Sequence, residues 1–130
     1  MEEKQLVWVG SSKKDLLEFP DDVIDVVGYA LNCAQFGEKH PDVKPLTNGK
    51  LQGKGIFEIV ENYDSDTYRA VYTVKLKERI YVLHSFKKKS KKGIATPQAD
   101  IELINNRYRE AKRIHDELDK VAPKKGFVAR

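Results

Sequence analysis

The stretch that decides the fold is Thr67-Tyr68-Arg69-Ala70-Val71-Tyr72-Thr73-Val74, followed after Lys77-Glu78 by Arg79-Ile80-Tyr81-Val82-Leu83-His84-Ser85-Phe86. β-Branched and aromatic residues crowd both runs, as they do on a pleated, half-buried surface. Lys77-Glu78 leaves room only for a tight connection, so the two runs are expected to be antiparallel neighbours. Upstream, Ile56 to Val60 reads as a further strand, parted from Thr67 by the polar, turn-like segment Asn62 to Asp66. Three strands joined by short turns make an antiparallel meander.

Outward from the meander, Leu6-Val7-Trp8-Val9 before Gly10 reads as a short buried strand. Ser11 and Ser12 are candidate helix caps, with Asp15 three residues after Ser12. Pro20 breaks this first helical segment, and Asp21 and Asp22 suit the positive start of a second helix. Val23, Val26, Val27, Ala30, Leu31 and Ala34 then form one apolar stripe, and Gly37 is the expected stop. Residues 38–55, with Pro41, Pro45, Asn48-Gly49, Gly53 and Gly55, read as loop. Thr96-Pro97 predicts a helix start with Thr96 as N-cap and Pro97 at the first helical position. Ile101, Ile104, Tyr108, Ala111, His115 and Leu118 trace its buried stripe, and Pro123 ends it. The order β-α-α-β-β-β-α predicts an α+β domain with its helices packed on one sheet face. One domain is expected over residues 1–121, with a mobile tail at 122–130.

The chain has 130 residues, 40% of them hydrophobic, which suits one compact domain. The short apolar run near the N-terminus does not read as a signal peptide, and no stretch approaches the roughly 20 apolar residues of a membrane span. Cys33 is the single cysteine, expected as a small buried hydrophobe in a reducing cytoplasm. His40, His84 and His115 fall in different elements, so no metal site and no cofactor are expected.

Charge is unevenly spread. No acid occurs between Glu78 and Asp100, and Arg79, Lys87, Lys88, Lys89, Lys91 and Lys92 give that stretch +6. The whole chain carries +4, so everything else sums to −2. Residues 1–42 hold nine acids against four lysines. A concentrated basic block at a strand end suits a polyanion such as RNA or DNA, although it also reads as a solvated loop that deters edge pairing. Gly49-Lys50-Leu51-Gln52-Gly53-Lys54-Gly55 lacks the spacing of a phosphate loop and precedes a strand. Lys50 and Lys54 remain candidates for phosphate contact. Arg69 has two readings: a guanidinium fixed for bidentate phosphate binding, or a sheet-face arginine paired with a carboxylate such as Glu58. His84 alternates with Val82 and Phe86 and is expected on their face, as a buried histidine or as a proton-transfer group.

At these residues the chain resembles the RelE/ParE superfamily, and within it the phage-derived HigB-like branch of bacterial toxins. The resemblance rests on the strand Thr67–Val74, on Leu83-His84-x-Phe86-x-Lys88-Lys89 and on Thr96-Pro97, and it covers about residues 5–118. It implies a small microbial-ribonuclease-like fold and the toxin of a type II toxin–antitoxin module, a ribosome-dependent mRNA endoribonuclease acting through the RNA 2′-hydroxyl. It implies a helix-turn-helix antitoxin (HigA-like), mRNA on the ribosome as substrate, and a bacterial cytoplasmic location. The expected catalytic residues are Arg69, Lys88, Lys89 and His84, with Lys50, Lys54, Lys87, Lys91 and Lys92 binding nucleic acid. Two alternatives stay open: a ParE-like toxin that blocks a DNA topoisomerase without catalysis, and a non-catalytic RNA-binding module. Two departures stand out. Many relatives carry an arginine where this chain has Val60, and Lys91–Ala95 lengthens the link to Thr96-Pro97.

Overall fold

The computed structural model of the protein describes residues 2–88 and 95–121. Their elements are β1 (Gln5–Trp8), α1 (Ser12–Leu16), α2 (Asp21–Gln35), β2 (Val43–Pro45), a 3-10 turn at Gly49–Leu51, β3 (Ile56–Tyr63), β4 (Asp66–Thr73), β5 (Arg79–Lys88) and α3 (Gln98–Val121). One sheet runs in the order β1-β5-β4-β3-β2. The expected α+β class and the β3-β4-β5 meander are both present. β1 lies parallel to β5, and every other pairing is antiparallel.

The helices do not share one face, as the sequence led us to expect. Successive strand residues point to opposite sides, and here both sides are apolar. Val23, Val27, Ala30, Leu31 and Ala34 of α2 pack with Leu16, Ile59, Tyr68, Ala70, Tyr72, Ile80 and Val82. Ile101, Ile104, Tyr108 and Ala111 of α3 pack with Ile56, Val71, Tyr81 and Leu83. The near-continuous burial of β4 and β5 follows: a strand covered on both faces has no polar side.

β2 occupies part of the segment read as loop, pairing Val43–Pro45 with Phe57–Ile59 at the sheet edge. An edge position tolerates Pro45, which has no N–H to give the ladder. α2 ends as expected. The Gly37 amide donates to the Ala34 carbonyl at 3.0 Å and the Glu38 amide to Cys33 at 2.8 Å, the paired bonds of a Schellman stop, with Gly37 at φ 79°. Cys33 is a half-buried free thiol. The capping expectation for Thr96 fails. The Pro97 carbonyl accepts the first helical bond, from Ile101, while the Thr96 hydroxyl serves a buried network instead.

The β3–β4 hairpin turns on two residues, with Tyr63 opposite Asp66. Asp64 and Ser65 both have positive φ, 50° and 73°, as a type I′ turn requires. An L-residue with a Cβ pays roughly 1–2 kcal/mol for that conformation. Ser65→Gly is therefore expected to stabilise the protein by about 0.5–1 kcal/mol, after the entropy glycine adds to the unfolded chain. A urea midpoint that rises at unchanged slope would show it.

Candidate functional site

A bulge in β5 builds the site. The register of β4 on β5 slips between Val71 and Tyr72, so that Val71 faces His84 and Tyr72 faces Val82. The extra residue flips the parity of the strand. Before the slip, Tyr81 and Leu83 face α3, and Ile80 and Val82 face α2. After it, His84 and Phe86 face α3. His84 therefore shares a face with Phe86, on which it stacks at 4.5 Å, but not with Val82. The alternation read from the sequence breaks at this bulge.

Arg69 opposes Phe86 on β5 and Val60 on β3, so Val60, the first of the two departures from the resemblance, lies directly across from it. Its own side chain is 2% exposed. The Arg69 Nη1 atom lies 3.2 Å from Glu58 Oε2 and 3.2 Å from Thr96 Oγ1, and Thr96 donates to the same carboxylate oxygen at 2.8 Å. β3, β4 and the segment that leads into α3 are thus tied at one point. Of the two readings of Arg69, the pairing with Glu58 is the one the resting geometry displays. Contact with a phosphate requires that Glu58 and Thr96 give way.

His84 is 7% exposed, and its Nε2 lies 2.8 Å from Asp100 Oδ1 in the first turn of α3. Its Nδ1 is buried and meets no hydrogen-bond partner among the described residues. Burial lowers the imidazole pKa from its ordinary value, and this outweighs the raising effect of Asp100. The geometry agrees. A neutral ring donates from Nε2 to Asp100, whereas a charged ring would bury an unanswered Nδ1–H.

The lysines divide by strand parity. Lys88 lies on the α3 side, its ammonium donating to the Ala95 carbonyl at 3.2 Å. Lys87 lies on the opposite side, 3.8 Å from Asp66. Lys89, Lys91 and Lys92 lie outside the described residues. Lys50 and Lys54 sit elsewhere. The Thr73 hydroxyl donates to the Lys54 carbonyl, whereas Thr67 pairs with Lys88. Six strand residues, about 20 Å, separate the two places along β4. Lys54 also donates to Asn105 and lies 5.3 Å from the Tyr108 ring centre. Its pKa is lowered by desolvation and then by Arg109, Lys112 and Lys50. Arg109 and Lys112 of α3 therefore join Lys50 and Lys54 in a second basic patch, which the sequence reading missed.

Two further groups were missed. Asp100 was legible only as the acid that closes the acid-free stretch. Arg107 spans from α3 to the Leu83 carbonyl at 3.0 Å and the Ser11 hydroxyl at 3.1 Å. It passes over Gly10, where a Cβ would lie 2.8 Å from its Nε, so glycine is what lets the guanidinium through. Among the described residues, no three His, Cys, Asp or Glu side chains converge as a metal site would require.

Two outcomes are expected. Arg69→Ala leaves Glu58 as an uncompensated buried charge and should destabilise the fold by about 3–5 kcal/mol. The double change Arg69→Met with Glu58→Leu should cost markedly less in the same urea titration. Lowering the pH from 7 to 5 should also weaken the protein through His84. The unfolded imidazole gains its proton near 6.5 while the folded one resists, so stability rises with pH across the window below 6.5. The dependence should flatten in His84→Gln, and NMR should show the His84 ring titrating below a free histidine.

A chain of the toxin–antitoxin complex RelBE2 from Mycobacterium tuberculosis is similar in structure, with a TM-score of 0.45 and 19% identity, over 65% of this chain and 96% of that one. No curated protein matches the chain. Residues 14–109, which hold the last three residues of α1, all of α2, the meander and the first half of α3, match the family described as phage-derived protein Gp49-like (DUF891). That span is well over half of the 130 residues, and the chain belongs to the phage-derived Gp49-like family.

Proposed function

We propose that the chain is the toxin of a two-gene toxin–antitoxin module, of HigB-like type, and that it cleaves mRNA in the translating ribosome. The observation that carries the reading is the end of β5. There the acid-free strand runs through Lys87 and Lys88 into the lysine block, beside a packed cluster of Arg69, Glu58, Thr96, His84 and Asp100. A strongly positive rim over a rigid polar floor suits an RNA phosphate.

Cleavage would begin with attack of the RNA 2′-hydroxyl on the adjacent phosphorus. The 5′-oxygen leaves with a proton, giving a cyclic phosphate and a 5′-hydroxyl. Lys88 and Lys89 supply positive charge to the phosphorane. Arg69 and His84 act from beneath the rim. Arg69 contributes to the field and joins the catalytic contacts only if Glu58 releases it. A neutral His84 has a lone pair at Nδ1 for a proton. Since both groups are enclosed at rest, the ribosome has to supply most of the substrate alignment. Lys50, Lys54, Arg109 and Lys112 offer a second phosphate track on the same side of the sheet as α3.

Induced alone in a bacterium, the chain is expected to arrest growth and to create new mRNA 5′ ends during translation. Lys88→Glu with Lys89→Glu should abolish those ends. Each lost phosphate contact should flatten the salt dependence of ribosome or RNA binding by about 0.7–0.9 log units per log unit of salt. Arrest with unchanged 5′ ends and DNA-damage signalling would replace the nuclease by a topoisomerase inhibitor. Normal growth at high soluble expression would remove the toxin reading.

A further inference from the structure

On the α2 side of the sheet, opposite the Arg69 network, a cleft of about 310 Å3 opens between α1 and the ends of β4 and β5. Asp15, Glu18, Phe19, Tyr68, Ser85 and Lys87 line it. Apart from Lys87, which the basic rim shares, nothing in the proposed RNA chemistry uses it. Ser85 is 2% exposed, and its hydroxyl meets no hydrogen-bond partner among the described residues. A buried hydroxyl without a partner costs stability, so this one points to a polar ligand.

The lining describes that ligand. Two carboxylates, Asp15 and Glu18, stand against one ammonium, and that ammonium, Lys87, already lies 3.8 Å from Asp66. Asp15 accepts the Ser11 hydroxyl at one oxygen only. The surroundings repel phosphate and attract a cation. The wall is aromatic: Phe19 meets Tyr68 edge-on at 4.9 Å, and Tyr68 meets Tyr63 at 6.5 Å. A guanidinium fits this set. It stacks on aromatic rings, it is flat, and its five donors can serve two carboxylates and a serine hydroxyl together. Leu17, next to Glu18 in the sequence, and Tyr63, whose ring meets Tyr68, are exposed, 59% and 39% accessible. A polar anchor pocket beside exposed apolar and aromatic residues is the composition of a protein interface centre.

We propose that this cleft is an anchor site for an arginine side chain of a partner protein. The partner's identity alone rests on the toxin reading, under which it is the antitoxin. Its segment would lie against the acidic first 42 residues, on the side of the sheet opposite Lys88 and the Arg69 network.

Titration of isotope-labelled protein with acetyl-arginine-amide, watched by NMR, tests the site. Saturable shifts at Phe19, Tyr68 and Ser85 are expected, absent with the neutral isostere acetyl-citrulline-amide. Glu18→Gln should weaken them about tenfold, the loss of one charge-assisted contact. No shifts, or equal shifts with citrulline, overturn the anchor. So do stronger shifts at the same residues with guanosine monophosphate, which would make the cleft a nucleobase site. In cells, Glu18→Lys should remain toxic and escape neutralisation by the cognate antitoxin; full neutralisation counts against the anchor while leaving the toxin intact. A wild type that binds arginine here yet never arrests growth keeps the anchor and discards the toxin.

Discussion

The rest of the structure depends on one buried ion pair. Arg69 and Glu58 are each almost wholly removed from water, and their charges lie 3.2 Å apart. Such a pair adds little net stability, because desolvating two charges offsets their attraction. Its value is in specificity. Once the guanidinium is enclosed, β3 and β4 have one register that keeps it paired, and Thr96 has one place from which to reach it. A one-residue slip of β4 against β3 would carry Arg69 to the opposite face of the sheet from Glu58 and leave each charge buried without the other.

The same pair explains why part of the site was legible in the sequence and part was not. The meander is written in β-branched and aromatic residues, and α2 and α3 in apolar stripes whose predicted members Val23, Val27, Ala30, Ile101, Ile104 and Tyr108 are all buried. Glu58 was legible as a partner for Arg69 because a lone arginine in an apolar strand needs a carboxylate. The assignment of helices to one face failed because alternation tells which residues differ in side, and not which sides are covered. β4 and β5 are apolar on both, which is itself the sign of a sandwiched strand.

The bulge at Val71/Tyr72 was not legible at all. Pattern reading assumes a period of two, and one inserted residue inverts everything after it. That inversion decides chemistry. It turns His84 toward Asp100, and it sends Ser85 and Lys87 to the face of α1. Long-range groups escaped for a different reason. Arg79, Tyr81, His115 and Asp119 form a cluster, with Tyr81 Oη 2.8 Å from His115 Nδ1 and Arg79 2.9 Å from Asp119. The helical stripe placed His115 toward the sheet, but only the antiparallel run of α3 over β5 puts it beside Tyr81.

That antiparallel run also sorts the charges. The C-terminal half of α3 meets the start of β5 through Arg79 and Asp119, and its first turn meets the end of β5 through Asp100 and His84. Acid on the helix thus answers base on the strand at both ends of the contact. Beyond Phe86 the strand outruns this matching: Lys88 finds a carbonyl, and the exposed Lys87 only the half-buried Asp66 carboxylate at 3.8 Å on the neighbouring strand. Surface pairing of that kind is worth little and is easily exchanged. The positive charge at the end of β5 is therefore held in place by the fold but is scarcely neutralised by it. A polyanion meeting this end would displace weak contacts, whereas one meeting Arg69 would have to break a buried pair. On the proposed RNA reading the order of engagement would then be the lysines first, and the arginine only after the rim has been filled.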